Sequence, residues 1–360
     1  MLESLPEDVL YTVFDYVVPP ASWKKTPARY QTLLQLSKVS IKCAHAAQKV
    51  LYEEAQLDSV KEAVLWCMVV EEMPRARFLA LWHTRRLRIS IHGSIKYTRD
   101  LVERVFGTVP AAHELWLDGV SVRLLSLSIL PQLTSCYLFK AELQVEVLRE
   151  KPRPSLPGLR TLAMNLCNVV KDGRIQDFGD VLCLESFPLL TALACTWSPE
   201  TSDPVMFRLD KQLTHLYLRR YPKPRGFTYP SLPTGELERA SSLKHLCVDI
   251  VPDDDLEVLE TVPGELISLQ LSSDGSTPVT VIERHLLAAD YSCLDDLKVL
   301  FVDTVDGDEQ VVRDATRDAC ESRDIVRSEV ISSGAPEEFV DERQWLSLTR
   351  AVQQGRRAFS

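Results

Sequence analysis

A short phrase, apolar-x-x-apolar-x-apolar, recurs along most of the chain. Its copies begin at Leu133 (LTSCYL), Leu159 (LRTLAM), Leu190 (LTALAC), Leu213 (LTHLYL), Leu243 (LKHLCV), Leu266 (LISLQL) and Leu297 (LKVLFV), so successive starts lie 26, 31, 23, 30, 23 and 31 residues apart. Weaker copies precede them: Leu115 with Leu117 in ELWLDG, Leu87 with Ile89 in RLRISI, and a stretch at Leu57. The alternating end of each phrase has the period of two expected of a strand with one buried face.

Between the phrases the period lengthens to that of a helix. Ser59 with Glu62 makes a capping box ahead of Val60, Val64, Cys67 and Met68. Thr277-Pro278 starts a second helix carrying Val279, Ile282, Leu286 and Ala289 on one face. Pro252 before Asp253-Asp254-Asp255 reads as another helix entry, with carboxylates at the positive end of the dipole. After Val302 the phrase lapses: Asp308 to Glu321 suits a helix, Ile325 to Ile331 a last strand, and Trp345, Leu348 and Val352 a short helix that would cap the array.

A strand followed by a helix, with a Leu phrase at each strand, resembles the leucine-rich-repeat family over residues 57 to 302. The Asn or Cys that the family places three residues past the strand is clear only at Cys167, which implies an irregular horseshoe with parallel strands on its concave face and helices on its convex face. Single repeats would not fold alone. Burying three aliphatic side chains yields roughly 5 to 9 kcal/mol, while ordering some 25 residues costs roughly 1 to 2 kcal/mol each, so only stacking closes the gap.

The first fifty residues follow another pattern. Val9, Leu10, Val13, Phe14 and Val17 lie at helical spacing behind Pro6 and two acids. Leu33, Leu34, Leu36 and Val39, then Ala44, Ala47, Val50 and Leu51, extend the reading to three short helices. The opening LPEDVLYTVFDYV resembles the F-box, a Leu-Pro dipeptide with an acid and an aliphatic-rich helix. The family's Val-Cys-Arg-x-Trp element stands here as Val39-Ser40-Ile41-Lys42-Cys43. The fold class expected is therefore α/β: an F-box-like three-helix module over 1–52, a leucine-rich-repeat solenoid over 53–302, and an acidic cap and tail over 303–360.

The F-box resemblance implies a Skp-type adaptor of a cullin-RING ubiquitin ligase as partner, bound through Leu5, Pro6, Val9, Leu10, Val13, Phe14, Leu36 and Val39. Docking requires that Pro6, Leu10 and Phe14 be accessible as an apolar patch. The repeats would hold a target protein. Alternation directs His215, Tyr217, Arg219, His245, Asp249, Gln270, Phe301 and Asp303 outward, onto the concave face. The alternative is a repeat scaffold that binds proteins without a ligase, its first helices serving as a cap.

Composition narrows the chemistry. With 45% hydrophobic and 26% charged residues in 360, the chain has material for about two domains. The acidic opening MLESLPEDVL is unlike an export signal, and the longest apolar run, Ala63 to Val70, is short of the roughly 20 residues of a membrane span, so a soluble cytoplasmic or nuclear protein is expected. Nine cysteines spread without a CxxC pair read as reduced core thiols, Cys136 and Cys195 among them standing at aliphatic places. Net charge is -10, and residues 303 to 342 hold thirteen acids against four Arg, which argues against nucleic acid as partner. No phosphate loop, HExxH or GxSxG phrase occurs. His215 and His245 share one place in two phrases without a third ligand in sequence, so neither metal, cofactor nor catalysis is expected.

Overall fold

The computed structural model of the chain describes residues 6–18, 26–91, 95–145, 155–165, 167–171, 174–176, 186–197, 211–220, 237, 239–250, 265–273, 296–303, 317–318 and 320–330. In chain order the elements begin with helices α1 Glu7–Val17, α2 Thr26–Ser37 and α3 Ile41–Glu53, and strand β1 Glu54–Leu57. There follow α4 Val60–Glu72, α5 Pro74–His83, β2 Arg86–Ser90, α6 Ile95–Thr108, β3 Glu114–Asp118, β4 Ser121–Arg123, α7 Leu124–Leu127, β5 Ser135–Phe139 and β6 Glu142–Val145. Then come β7 Thr161–Asn165, β8 Asn168–Lys171, β9 Arg174–Gln176, β10 Ala192–Trp197, β11 His215–Arg220, β12 His245–Ile250, β13 Ser268–Ser273, β14 Val299–Asp303 and β15 Val326–Val330. Packing divides the chain into two compact units, Met1–Leu159 with Asn168–Arg174, and Arg160–Cys167 with Ile175–Ser360.

Every copy of the phrase is a strand, and each unit pairs its strands in parallel. The first unit orders them β1, β2, β3, β5. The second orders them β7, β10, β11, β12, β13, β14, β15. Register puts like over like: Leu162, Leu193, Leu216, Leu246, Leu269 and Leu300 form one buried row of the second unit. In the first unit Leu57, Ile89, Leu117 and Leu138 do the same, and Cys136 continues the row of Ala55, Leu87 and Leu115. A repeated fork fixes the register. One carbonyl accepts two successive N–H groups of the next repeat, as when Thr191 receives Thr214 and His215, and Thr214 receives Lys244 and His245.

Helix ends follow their sequence. The Ser59 hydroxyl accepts the Glu62 N–H at 3.2 Å, and the Glu62 carboxylate accepts the Asp58 N–H at 2.7 Å, one residue before the cap. Ser40 caps α3 by accepting from the Cys43 N–H at 3.1 Å. The inward stripe of α4 differs from the expected one. It is Ala63, Cys67 and Val70, while Met68 is exposed, because the helix turns its small side chains toward α5 and α6 for close packing.

A second parallel sheet, β4, β6 and β8, was not expected from the phrase. Each main strand of the first unit's last two repeats turns at a left-handed residue, Gly119 (φ 69°) or Lys140 (φ 44°), and runs into one of these short strands. Arg123 of β4 binds Glu103 of α6, which also accepts from Ser126 at 2.7 Å, so the short sheet is fastened to the helices. Burial alone would raise the Glu103 pKa, but the hydrogen bonds from Arg123 and Ser126 hold it below the usual carboxylate value.

The expected strand at Ile325 to Ile331 is β15. Of the helix expected over Asp308 to Glu321, residues 317, 318, 320 and 321 are helical and the rest lie outside the described residues. The segments at Pro252 to Asp255, Thr277 to Ala289 and Trp345 to Val352 lie outside them too. The cysteines among the described residues are free thiols, all buried except half-buried Cys167. Burial pushes the Cys195 thiol up to about 12. Among the described residues no helix is long and apolar enough to cross a membrane.

Candidate functional site

The helices α1, α2 and α3 enclose a small core of their own. Leu10, Phe14 and Val18 supply one stripe of α1, packed on Leu33, Cys43, Ala46, Ala47 and Val50. Leu10 and Phe14 are 0% and 1% exposed, which corrects the expectation that both stand accessible on a docking face. The reason is geometric: the apolar surface of α1 is wide enough for two stripes, and the stripe at 10, 14 and 18 faces inward. The neighbouring stripe faces out. Pro6, Val9, Tyr16 and Val17 are exposed, with Val13 half-buried between them. Leu36 packs at the margin of the core, whereas Val39 is exposed beside Ile41. Leu5 lies outside the described residues.

The module is fastened to the first strand by buried polar contacts. Arg29 of α2 lies 3.5 Å from the Glu54 carboxylate, both side chains being almost wholly buried. The Tyr30 hydroxyl donates to the Glu54 carbonyl at 3.1 Å. Burial first, then the Glu54 charge, pushes the Tyr30 pKa up to about 12.

On the second unit, register brings the expected outward residues into rows. His215 pairs with His245, then Ser268. Tyr217 aligns with Cys247, Gln270 and Phe301 in the next row. Arg219 stands opposite Thr196, Asp249 opposite Ser272, and Asp303 opposite Val330. The rows are not an open surface throughout. His215 and Tyr217 are half-buried, but His245 and Gln270 are 4% and 8% exposed, because aligned side chains about 4.8 Å apart pack sideways on one another.

The two imidazoles stack, with centroids 4.1 Å apart and planes 22° apart. Thr214 Oγ1 lies 2.8 Å from His215 Nδ1, and Ser268 Oγ lies 2.9 Å from His245 Nδ1. Burial, then the neighbouring His215 and Lys244, lowers the His245 pKa to about 3. A general acid or base works best with a pKa near the ambient pH. A ring held neutral so far from that range is suited to packing and hydrogen bonding. Among the described residues no three His, Cys, Asp or Glu side chains gather as metal ligands would.

The first unit carries an aromatic array on the corresponding strand face that the sequence reading overlooked. Trp116 stacks on Phe139 at 4.7 Å and 8°, and on Tyr137 at 5.6 Å, while the Arg88 guanidinium lies over its ring at 5.7 Å. Ser90 donates to Asp118 at 3.1 Å beside them. Alternation applied to RLRISI, ELWLDG and LTSCYLF as it was to the later copies would have found these residues.

No protein-family model matches this chain, and no curated protein matches it. Among solved structures it is similar to an internalin from Listeria monocytogenes, at 14% identity and a TM-score of 0.34, over 73% of this chain and 71% of that one. The leucine-rich-repeat-like character of the fold rests on its own strand ladder, with Leu over Leu at constant register in both units.

Proposed function

We propose that the chain is a non-catalytic receptor: its repeat strands hold a target protein, and its amino-terminal helices engage a Skp-type adaptor of a cullin-RING ubiquitin ligase. The observation that carries the adaptor half is the division of α1 into two apolar stripes. A helix that closes its own core with Leu10 and Phe14 and still presents Pro6, Val9, Tyr16 and Val17 has apolar surface to bury elsewhere. The target half is supported by the mixed Arg, Trp, Tyr and His composition of the strand faces, a composition enriched among binding hot spots. The target's lysines would be held near a ubiquitin-loaded enzyme, and the contribution of this chain would be high effective concentration.

The test is co-purification with a Skp-type adaptor from the same organism, beside a Val9→Asp/Val39→Asp variant whose melting matches the wild type. Capture by the wild type and loss in the variant supports the reading. Failure of the folded wild type to capture the adaptor leaves the second reading, a repeat scaffold capped by its first helices. That reading draws on the contacts of Arg29 and Tyr30 with Glu54, which tie the module to the strands as a cap would be tied.

A further inference from the structure

The charge of the chain is segregated in a way the receptor reading does not use. Between Tyr16 and Tyr52, and again between Met73 and Arg99, there is no Asp or Glu, yet the two stretches hold thirteen Lys and Arg; the rest of the chain holds 28 against 51 acids, from totals of 41 and 51. Folding brings parts of the two stretches together, because α3 packs on α5. Arg75 reaches to 3.3 Å from His45 Nε2. Burial, then Lys49 and Arg85, depresses the pKa of His83. Among the described residues no carboxylate lies within ion-pair distance of Arg75, Arg77 or Arg85.

The same helix leaves large apolar side chains in solvent. Ala76, Leu79 and Ala80 bury its inner face, so Arg75, Phe78 and Trp82 fall on an outer stripe at i, i+3 and i+7. Phe78 and Trp82 are 55% and 63% exposed. Arginine beside exposed Phe and Trp is the composition of an interface core. We propose that α5, with the adjoining side of α3, is a docking surface for a short acidic polypeptide segment carrying apolar anchors.

Charge selects that occupant. A nucleic acid or an anionic bilayer presents negative charge well beyond the patch, to a chain whose net charge is -10. A short segment meets only the local field, within a Debye length of about 8 Å. Guanidinium forks suit its carboxylates, and Phe78 and Trp82 receive its apolar side chains. A helix of 10 residues is about 15 Å long, the span of about five extended residues.

The surface is distinct from the adaptor-facing stripe of α1, and the inference stands whether or not an adaptor binds. The experiment measures fluorescence anisotropy of a labelled Glu- and Asp-rich peptide of about 12 residues containing two Leu, more than twice the span above. The same peptide with Ser for Leu, an oligothymidine of equal length and phosphatidylserine vesicles are compared with it. The wild type should bind the Leu peptide most tightly. Arg75→Glu/Arg77→Glu should weaken it about tenfold or more, Phe78→Ser/Trp82→Ser about fivefold or more, and Lys298→Glu should not change it. If the apolar variant melts early, the charge-reversal pair decides alone. No binding by the wild type, equal binding by the charge-reversal variant, or tighter binding of oligothymidine or vesicles each overturns the proposal. Adaptor capture by the charge-reversal variant, and peptide binding by Val9→Asp/Val39→Asp, let either reading fail without the other.

Discussion

His245 shows how a strand-face side chain becomes part of the fold. Its folded pKa of about 3 lies below the ~6.5 of a free imidazole, so the unfolded chain holds the proton more tightly and acid favours unfolding. Its stabilising contribution is complete above pH ~6.5 and is lost as pH falls from there toward about 3, at up to about 1.4 kcal/mol per unit. Melting temperature measured from pH 7 to pH 4 should therefore fall more steeply for the wild type than for His245→Gln. Parallel curves would mean that the ring titrates normally. Lys140 poses a different single-residue problem. Its φ of 44° is left-handed, at the turn where the preceding repeat has Gly119. Lys140→Gly should relieve about 1 kcal/mol of strain, less the entropy it adds to the unfolded chain, and raise the denaturant midpoint; a lowered midpoint would show that entropy to be the larger effect.

At the scale of elements, the junction of α2 with β1 depends on a buried ion pair. Removing one partner leaves an uncompensated charge, so Arg29→Met should cost about 3 kcal/mol or more in denaturant unfolding, and adding Glu54→Gln should return part of it. A double-variant cost equal to the sum of the costs of Arg29→Met and Glu54→Gln measured singly would show that the pair is not coupled. The Ser59 cap is a smaller device, and Ser59→Ala should cost about 1 kcal/mol. The main strands were legible because three apolar positions at fixed offsets recur in the seven full copies, and an alternating pair such as Leu87 with Ile89 survives in the weaker ones. The short strands β4, β6 and β8 were not, since a segment such as Ser121–Arg123 is too brief to show a period. The candidate site was legible in direction but not in exposure. Periodicity says that residues 9, 13 and 16 share one face of α1 and that 10, 14 and 18 share another, but only packing tells which face closes the core. Likewise alternation turned His245 and Gln270 outward, and could not show that sideways stacking covers them.

For the whole molecule, the uneven charge has a consequence that does not depend on any single pair. Thirteen acids against four Arg between residues 303 and 342, and thirteen Lys and Arg in two earlier stretches that contain no acid, each concentrate one sign of charge along the sequence. Within such a run neighbouring charges repel, and folding brings some of them closer, as Lys49 and Arg85 both come near His83 and depress its pKa. Salt shortens the screening length from about 10 Å at 0.1 M to about 3 Å at 1 M, which weakens repulsion between exposed charges more than it weakens partly buried pairs such as Arg123 with Glu103. Sodium chloride should therefore raise the melting temperature at pH 7. The rise should shrink near pH 5.3, the isoelectric point of the sequence, where the acidic run has begun to lose charge. A melting temperature that fell with salt would mean that attraction between opposite charges outweighs repulsion within each run, and that the segregation stabilises the folded chain.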